Sequence, residues 1–315
     1  MKNFHILLSF SLILLANLFV GEVVGIIPSE NVSANVTYPT NNTYFNTAFP
    51  NFNMTYSGDS LTYNLELFIN GTGRGLKVIN DTLMSNITTN TTLVDGQNYT
   101  WFFNVTNGSQ ANRSNVTLVF TIDTTRPLIT YEASGFNSLT NNTNWSQSTF
   151  YVNVSYTEIN FGNVTFNLLN SSTANINGTK FNTSSNRAMN FTGLADGIYR
   201  LNLTVVDLAN NTNTSEQRTF TIDTTKPLIT YEANGLNAFA NDTYSNNTQF
   251  RVNVSYTETN FDNVTFNLLN SSGVNINGTK FNGSSSRAMN ITGLAEGIYR
   301  LNLTVLDTAN NTNTS

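Results

Sequence analysis

Apolar and polar residues alternate along much of this chain. In the segment Tyr151–Tyr156, Val152, Val154 and Tyr156 are apolar, and the residues between them are polar. Successive side chains of a strand point to opposite faces, so this period of two predicts strands with one buried face. No segment carries a convincing helical period, so we expect an all-β protein. Within residues 125–224 the predicted strands are 128–132, 150–158, 163–171, 175–182, 187–194, 197–207 and 217–223.

The same pattern returns at an offset of about 100 residues, the size of a whole small domain. Thr121–Thr130 recurs as Thr221–Thr230, and Leu201–Asp207 recurs as Leu301–Asp307. A counterpart of Glu216–Asp223, the last strand of the second copy, is absent from the third, so we expect a truncated third domain and a longer natural chain. The predicted segments are a signal peptide at 1–25, a divergent first domain at 26–124, and further domains at 125–224 and 225–315.

Seven short antiparallel strands in about 100 residues favour an immunoglobulin-like (Ig-like) β-sandwich. One corner supports this prediction. Ala195–Tyr199 and Ala295–Tyr299 share the order acidic-Gly-x-Tyr ahead of the long strand. That order resembles the tyrosine corner of Ig-type sandwiches, in which the tyrosine hydroxyl bonds to upstream backbone.

The junction between successive domains, which we call the seam, carries a family resemblance. Val205–Ser215, followed by Thr219–Pro227, is similar to the tandem Ig-like repeats of bacterial and archaeal cell-surface proteins and large adhesins. Their usual ending reads D-x-A-G-N-x-S/T, a strand, then D-T-T-x-P. Asn210 stands at the family's glycine, which is tolerable because asparagine adopts positive φ more readily than most residues. The resemblance implies a surface-exposed rod or stalk and names no ligand.

The first residues predict export. Lys2 precedes the apolar run Ile6–Ala16, which is short for a membrane span and suits a signal peptide. An uncleaved N-terminal anchor is the alternative, and both send the remainder across a membrane. No later apolar segment is long enough to span, so we expect an extracellular or cell-surface protein with no membrane span in its mature part.

Composition argues against an enzyme. The chain has no cysteine, and its one histidine, His5, lies in the predicted signal, so the usual metal ligands and the commonest general base are missing from the mature part. Recurring acidic pairs argue against glycosidase carboxylates, because an active site is normally built once. Charged residues make up 10% and the net charge is −5, so there is no basic footprint for nucleic acid.

Asparagine, rather than charged residues, supplies much of the polar character of this chain. The chain holds 55 Asn and 35 Asn-x-Ser/Thr triplets, which are N-glycosylation acceptors in exported proteins and exceed chance expectation. Strand alternation places many of them opposite the core; a merely hydrophilic surface is the alternative. The predicted glycosylation sites are Asn153, Asn163, Asn190, Asn202, Asn253, Asn263, Asn290 and Asn302.

Acidic residues recur near the seams. Carboxylates gathered there could hold Ca²⁺, which takes six to eight oxygen ligands; turn-capping and solvated acids are the alternative. The predicted metal ligands are Asp123, Asp207, Asp223 and Glu232, and Glu158 and Glu258 recur without an assigned role. No other cofactor is expected.

One aromatic residue is a candidate for contact with a partner. Trp145 stands in a predicted loop and is replaced by Ser245 in the next copy. These features together predict an exported, heavily N-glycosylated stalk or envelope protein. An adhesin that binds a cell-surface protein or a glycan is the alternative.

Overall fold

A computed structural model of the chain describes residues 33–57, 62–79, 84–106, 111–114, 116–131, 140–231, 242, 244–285 and 287–315. The predicted signal peptide and Glu232 lie outside the described residues. The chain divides into two compact units, one made of Met1–Thr125 with Leu208–Asn211 and the other of Arg126–Asp207 with Thr212–Ser315.

The first unit contains two sheets that enclose one core, antiparallel except for one parallel strand pair. A three-stranded sheet has the order β1-β3-β6, and a six-stranded sheet has the order β2-β9-β7-β4-β5 with β8 beside β7. Trp101, Phe103 and Phe120 are fully buried between them. The strands are β1 Ser33–Tyr38, β2 Thr43–Phe45, β3 Asn51–Ser57, β4 Tyr63–Ile69, β5 Thr72–Ile79, β6 Met84–Thr88, β7 Asn98–Thr106, β8 Ala111–Arg113 and β9 Leu118–Ile122.

The second unit begins with a sandwich of the same design. Its three-stranded sheet is β10-β12-β15, and its six-stranded sheet is β11-β18-β16-β13-β14 with β17 beside β16. The core includes Phe150, Phe166 and Phe220. The strands are β10 Leu128–Tyr131, β11 Thr143–Trp145, β12 Phe150–Thr157, β13 Phe161–Leu169, β14 Asn175–Phe181, β15 Ala188–Phe191, β16 Gly197–Asp207, β17 Thr212–Thr214 and β18 Arg218–Ile222.

A further sandwich in the second unit has a core of its own around Phe266, Leu303 and Val305. Its sheets are β19-β20-β23 and β22-β21-β24-β25. The strands are β19 Leu228–Tyr231, β20 Phe250–Thr257, β21 Phe261–Leu269, β22 Asn275–Phe281, β23 Ala288–Ile291, β24 Arg300–Asp307 and β25 Thr312–Thr314.

The all-β, Ig-like prediction is confirmed, and every strand predicted within 125–224 is present to within a few residues. Two short strands, β11 and β17, were not predicted. Each has three residues, too few for an alternating pattern to register, and forms because a longer neighbour supplies hydrogen-bonding partners. Among the described residues no helix is long and apolar enough to cross a membrane.

Tyrosine side chains tie the two sheets of each sandwich in the second unit together. The Tyr131 hydroxyl contacts the Leu201 carbonyl at 3.2 Å and the Ser215 hydroxyl at 2.9 Å. Tyr231 makes the equivalent contacts with Leu301 and Ser315 at 3.2 and 2.8 Å. Burial raises the pKa of Tyr131 above its usual value, since the charged form would lose solvation.

The seam between the second and third domains as a candidate functional site

The seam of the second unit is the five-residue stretch Asp223–Pro227, which joins β18 to β19. Side-chain amides of the third domain hold its backbone. Asn311 donates to the Asp223 carbonyl at 2.6 Å, and Asn313 donates to the Pro227 carbonyl at 2.8 Å. Because both ends of so short a connection are bonded, little freedom is left in the link between the two sandwiches.

The turn that follows β24 positions the side-chain amides that bind the seam. Asp307 ends β24, and its Oδ1 accepts the backbone N–H groups of Ala309 and Asn311 at 2.8 Å each. Asn310 has a φ of 69°, and Asn210 has 67° at the equivalent position of the preceding copy. The expectation that asparagine takes the family glycine's positive-φ position is therefore confirmed. The seam motif thus folds into a turn that directs Asn311 toward the linker.

The tyrosine corner is also confirmed. The Tyr199 hydroxyl donates to the Ala195 carbonyl at 2.9 Å, and Tyr299 does the same to Ala295 at 3.0 Å. Fixing this corner places Asp196 beside the seam.

Asp196 binds the seam from the side of the second domain. Its carboxylate accepts the Thr224 N–H at 2.9 Å and the hydroxyls of Thr224 and Thr225 at 2.7 Å each. These hydrogen bonds, led by the one from Thr225, hold the pKa of Asp196 below its ordinary value. In the first unit, the pKa of Asp95 is lowered in the same way by Thr125 and Thr124. Asp196, the acidic residue of the tyrosine corner, thus holds the linker between the domains by hydrogen bonds. Sequence analysis did not assign this role.

Three carboxylates converge at the same seam. One oxygen each of Asp223, Glu258 and Asp307 lies within 4.8 Å of the others. Asp307 is fully buried and Asp223 is 5% exposed. No Lys or Arg forms an ion pair with these three acids within the part of the chain that the structure describes. Buried like charges are costly unless they are neutralised, so the arrangement favours a bound cation.

Asparagine amides orient the cluster. Asn260 donates to Asp223 Oδ2 at 2.6 Å, and Asn311 donates to Asp307 Oδ2 at 2.7 Å. The Asn260 N–H also bonds to Glu258 Oε1 at 2.8 Å. The donor set consists of hard oxygens, which suits Ca²⁺, and water would have to complete the six to eight ligands that Ca²⁺ takes. The residues present therefore fit a hard divalent cation in charge and ligand type.

The predicted metal ligands are found as follows. Asp223 takes part in the cluster, and Glu232 lies outside the described residues. Asp123 is buried and accepts the Thr125 N–H, and Asp207 is buried at the end of β16, where it pairs with Phe161. The other two members of the cluster around Asp223 are Glu258 and Asp307; the sequence signal was their recurrence at the positions of Glu158 and Asp207 one repeat earlier. The roles of Asp123 and Asp207 as metal ligands stay predictions.

The predicted glycosylation sites differ in accessibility. Asn190 and Asn290 are exposed, whereas Asn263 is only 4% exposed and its Nδ2 donates to Asp262 at 2.7 Å. The expected outward placement of Asn263 was thus wrong, and the bulge in β21 is not the reason, because Asn163 stands beside the equivalent bulge in β13 and is half-buried. The half-buried sites are Asn153, Asn163, Asn202, Asn253 and Asn302.

Trp145 is not an exposed loop residue. It lies in β11, is half-buried and packs edge-on against Phe150, with ring centroids 5.5 Å apart. Because β11 pairs in parallel with β18, the indole is drawn against the core of the second domain. The expected exposure was therefore wrong, and the sequence pattern of three residues could not reveal this pairing.

Comparisons with known proteins agree with this architecture. Residues 127–224 match the family described as "Bacterial Ig-like domain". No curated protein sequence matches the chain.

The solved structures that the chain resembles have low sequence identity to it. Fibronectin(III)-like modules of Clostridium thermocellum CbhA have a TM-score of 0.36 and 11% identity, and the match covers 60% of this chain and 92% of theirs. The chicken CNTN1 FN1–FN3 domains have a TM-score of 0.31 and 8% identity, with 90% and 97% covered. Dimeric latent PorU from Porphyromonas gingivalis has a TM-score of 0.23 and 12% identity, with 90% and 33% covered. The chain is thus built of repeated β-sandwiches, and its residues 127–224 are similar to the family described as "Bacterial Ig-like domain".

Proposed function

We propose that this protein is an exported, N-glycosylated stalk or envelope component of the cell surface, and that its role is mechanical. Sandwiches joined in a row by a held linker can carry a mechanical load along the chain. The alternating strand pattern, the predicted signal peptide and the abundance of acceptor triplets support this proposal.

The proposal rests on the hydrogen bonds that hold the seam from both of the domains it joins. Asp196 holds the linker from the second domain, and Asn311 and Asn313 hold it from the third. A flexible string of domains would leave such a linker solvated and free, as Gly/Ser-rich linkers are. Hydrogen bonds from both domains to the linker would let this linker transmit a mechanical force from one domain to the next.

Spin-label distances test the link. The chain has no cysteine, so Ser171→Cys and Ser271→Cys, both in exposed turns, give a unique pair of labels in the second and third domains. We expect a narrow distance distribution, and a broader one after Asn311→Ala and Asn313→Ala. A distribution that is already broad in the parent pair would contradict the stalk proposal.

Glycosylation is the second part of the proposal, and accessibility ranks its sites. A sugar must reach the Asn Nδ2, and a glycan is bulky and occupies the surface. We expect occupancy at Asn190 and Asn290, and none at Asn263, whose amide is buried and bonded. Glycopeptide mass spectrometry of native protein measures this ranking; bare Asn190 and Asn290 would remove the glycan claim and leave the mechanical one standing.

Calcium at the seam is a second candidate property, favoured by the convergence of Asp223, Glu258 and Asp307. A bound divalent cation would neutralise two of the three charges and would link Asp223 of the second domain to two acids of the third. A ligand that binds only the folded state stabilises it by about 2.7 kcal/mol at a hundred times its Kd.

Calorimetry with CaCl₂ or with a chelator checks this property. We expect Ca²⁺ to raise Tm in the parent chain and to have no effect after Asp307→Asn. Asp242→Asn, which removes an exposed acid outside the cluster, serves as the control and should respond as the parent does. A Tm that is equal in Ca²⁺ and in chelator would remove the calcium proposal.

A further inference from the structure

The outer face of the six-stranded sheet in the first domain carries apolar side chains, although the solvent face of an antiparallel sheet is normally polar. Leu76 and Val78 of β5 are 68% and 61% exposed, and Phe68 of β4 and Phe102 of β7 are half-buried beside them. We call these four residues the outer patch. They lie opposite the core, because they alternate along their strands with residues that face inward. Exposed apolar groups of this kind mark interaction surfaces.

The other two domains are polar at the same positions. In the second domain, Asn167 and Asn202 lie opposite each other where the two phenylalanines do in the first. Lys180 takes the position of Leu76. The third domain repeats this polar set with Asn267, Asn302 and Lys280. The sandwich therefore folds without the outer patch, and the patch is a property of the first domain alone.

The two phenylalanines form a stack that ends at an uncovered ring face. Phe68 and Phe102 are parallel to within 2°, with ring centroids 4.9 Å apart. The guanidinium of Arg113, on β8 beside β7, lies 3.7 Å from the centre of the Phe102 ring. At the other end of the stack, the residue opposite Phe68 on β5 is Gly73, which has no side chain. The Phe68 ring face toward β5 is therefore left open at this position.

A carboxylate stands beside the open ring face. Glu66 lies on the same face of β4, two residues before Phe68, and is half-buried. Its Oε1 lies over Gly73, in the space that a side chain there would take. Among the described residues it has no ion pair and accepts no hydrogen bond. A partly desolvated carboxylate without a cation is unfavourable, so this position favours a cationic ligand.

The cations of β5 bond elsewhere. Arg74 donates to the Thr91 hydroxyl at 3.2 Å. Lys77 donates to Asn86 Oδ1 at 3.3 Å. Neither forms an ion pair with Glu66 in the part of the chain that the structure describes. A cation for this carboxylate would therefore come from a ligand.

The ring face and the carboxylate together match a guanidinium. This group is planar, stacks on aromatic rings and pairs with a carboxylate through two parallel hydrogen bonds. The chain itself uses such stacking elsewhere, since Arg187 lies 4.3 Å from the Tyr156 ring centre and Arg287 lies 3.8 Å from that of Tyr256. A lysine would supply the charge without the plane, and a neutral sugar would leave the carboxylate without a cation.

We propose that the outer patch docks a partner protein, with an arginine of the partner stacked on Phe68 above Gly73 and paired with Glu66. Apolar neighbours of that arginine pack on Leu76 and Val78. Aromatic residues and arginine are enriched in protein interfaces, and such a pair gives the partner one defined anchor. The docking surface lies within the first domain and does not depend on the stalk role.

NMR titration of the full chain, produced in a host without N-glycosylation, tests the proposal. The probe is a blocked, extended peptide whose central arginine has a leucine two residues away on each side, and a matched peptide carries citrulline, which keeps the planar shape and lacks the charge. We expect saturable millimolar binding that shifts the methyl signals of Leu76 and Val78 and weakens with salt. The citrulline peptide should bind about tenfold more weakly.

Matched variants assign the binding to the patch. Glu66→Gln keeps the side-chain shape and should weaken the arginine peptide by about tenfold, to the level of the citrulline peptide. Phe68→Asn installs the residue of the second domain and should abolish binding. Glu296→Gln removes an exposed acid of the third domain and should bind as the parent does. Equal affinity of the arginine peptide for the parent and for Glu66→Gln, with the fold intact by circular dichroism, would overturn the proposal.

Three other occupants of the patch are distinguished by the same measurements. Shifts of the same methyl signals by maltohexaose, and none by the peptide, would indicate a carbohydrate. A dimer of the chain alone that Phe68→Asn makes monomeric in sedimentation would indicate a second copy. Binding that is lost in native glycosylated protein would indicate a glycan on Asn104, which lies on this face and begins an acceptor triplet. Each result would overturn the arginine-bearing partner and leave the stalk proposal untouched.

Discussion

At the residue scale, hydrogen bonds from short polar side chains hold the described residues of the seam, where no ion pair is found. Asp196, Asn311 and Asn313 each bond to the backbone of the seam or to its threonines. Side-chain to backbone bonds of this kind are local and need few charges, which suits a chain with 10% charged residues. Stability at the seam should therefore depend on single polar groups that can be removed one at a time.

Replacing Asp196 with asparagine is expected to destabilise the second domain by about 1 kcal/mol at neutral pH, the usual net worth of such hydrogen bonds. The lowered pKa of Asp196 means that the folded state binds this proton less readily than the unfolded chain. Its contribution is therefore present above the unfolded pKa and is lost as pH falls through the lower, folded pKa. Urea unfolding of parent and variant between pH 7 and pH 2 measures the difference.

Glu296 provides the control for this prediction. It stands at the equivalent corner of the third domain, is exposed, and its carboxylate makes no hydrogen bond within the described residues. Glu296→Gln should leave the free energy of unfolding unchanged at neutral pH. A parent–variant gap for Asp196→Asn that persists in acid would show that the carboxylate's charge is not what the seam uses.

At the element scale, the same strand sequence behaves differently when its neighbour changes. The long strand β16 begins at Gly197 because β18 pairs with its first residues, from Gly197–Ile222 to Leu201–Arg218. In the third domain, β24 begins only at Arg300, and no described strand pairs with residues 297–301 on that side. Tyr299 is accordingly less buried than Tyr199. Hydrogen-bonding partners, not intrinsic propensity, decide where this strand starts.

Hydrogen exchange should report this difference directly. We expect the amides of 198–201 to exchange much more slowly than those of 298–301, because an unpaired edge opens without breaking the fold. The amides of 203–207 and 303–307, which are paired in both domains, should be similar and serve as the internal reference. Equal protection at 198–201 and 298–301 would contradict the role given to β18.

At the scale of the whole molecule, each sandwich carries its own core. The second and third domains bury equivalent residues, Leu203 and Leu303, in separate clusters. Each cluster holds more than ten aliphatic and aromatic side chains, counting buried and partly buried members. Domains of about 100 residues can fold on such cores without disulfides, in keeping with the absence of cysteine.

Core truncation in one domain should leave the other intact. Leu203→Ala and Leu303→Ala each remove a fully buried side chain and should cost about 2–5 kcal/mol in the domain that carries the change. Differential scanning calorimetry is expected to show one shifted transition, a different one for each variant. A single transition that moves equally in both would show that the two sandwiches unfold as one unit.

The sequence by itself determined the strands, the repeated domains and the tyrosine corner. The alternation of apolar and polar residues shows which face of a strand each side chain takes. A sequence repeat at an offset of about 100 residues indicates a repeated domain. These signals are local or periodic, so they are visible without a structure. They correctly predicted that Tyr199 bonds to upstream backbone and that Asn210 tolerates positive φ.

Only the tertiary structure decided which distant residues meet. The alternation of apolar and polar residues shows which face of a strand a side chain takes, but it gives no distance between residues on either side of a seam. It therefore could not predict that the carboxylates of Asp223, Glu258 and Asp307 lie close together. Nor could it show that Asn263 is covered and that Trp145 is held against the core. Those outcomes depend on tertiary packing, on a three-residue parallel pairing and on the contact of one domain's end with the next, and such contacts join residues that are far apart in the sequence.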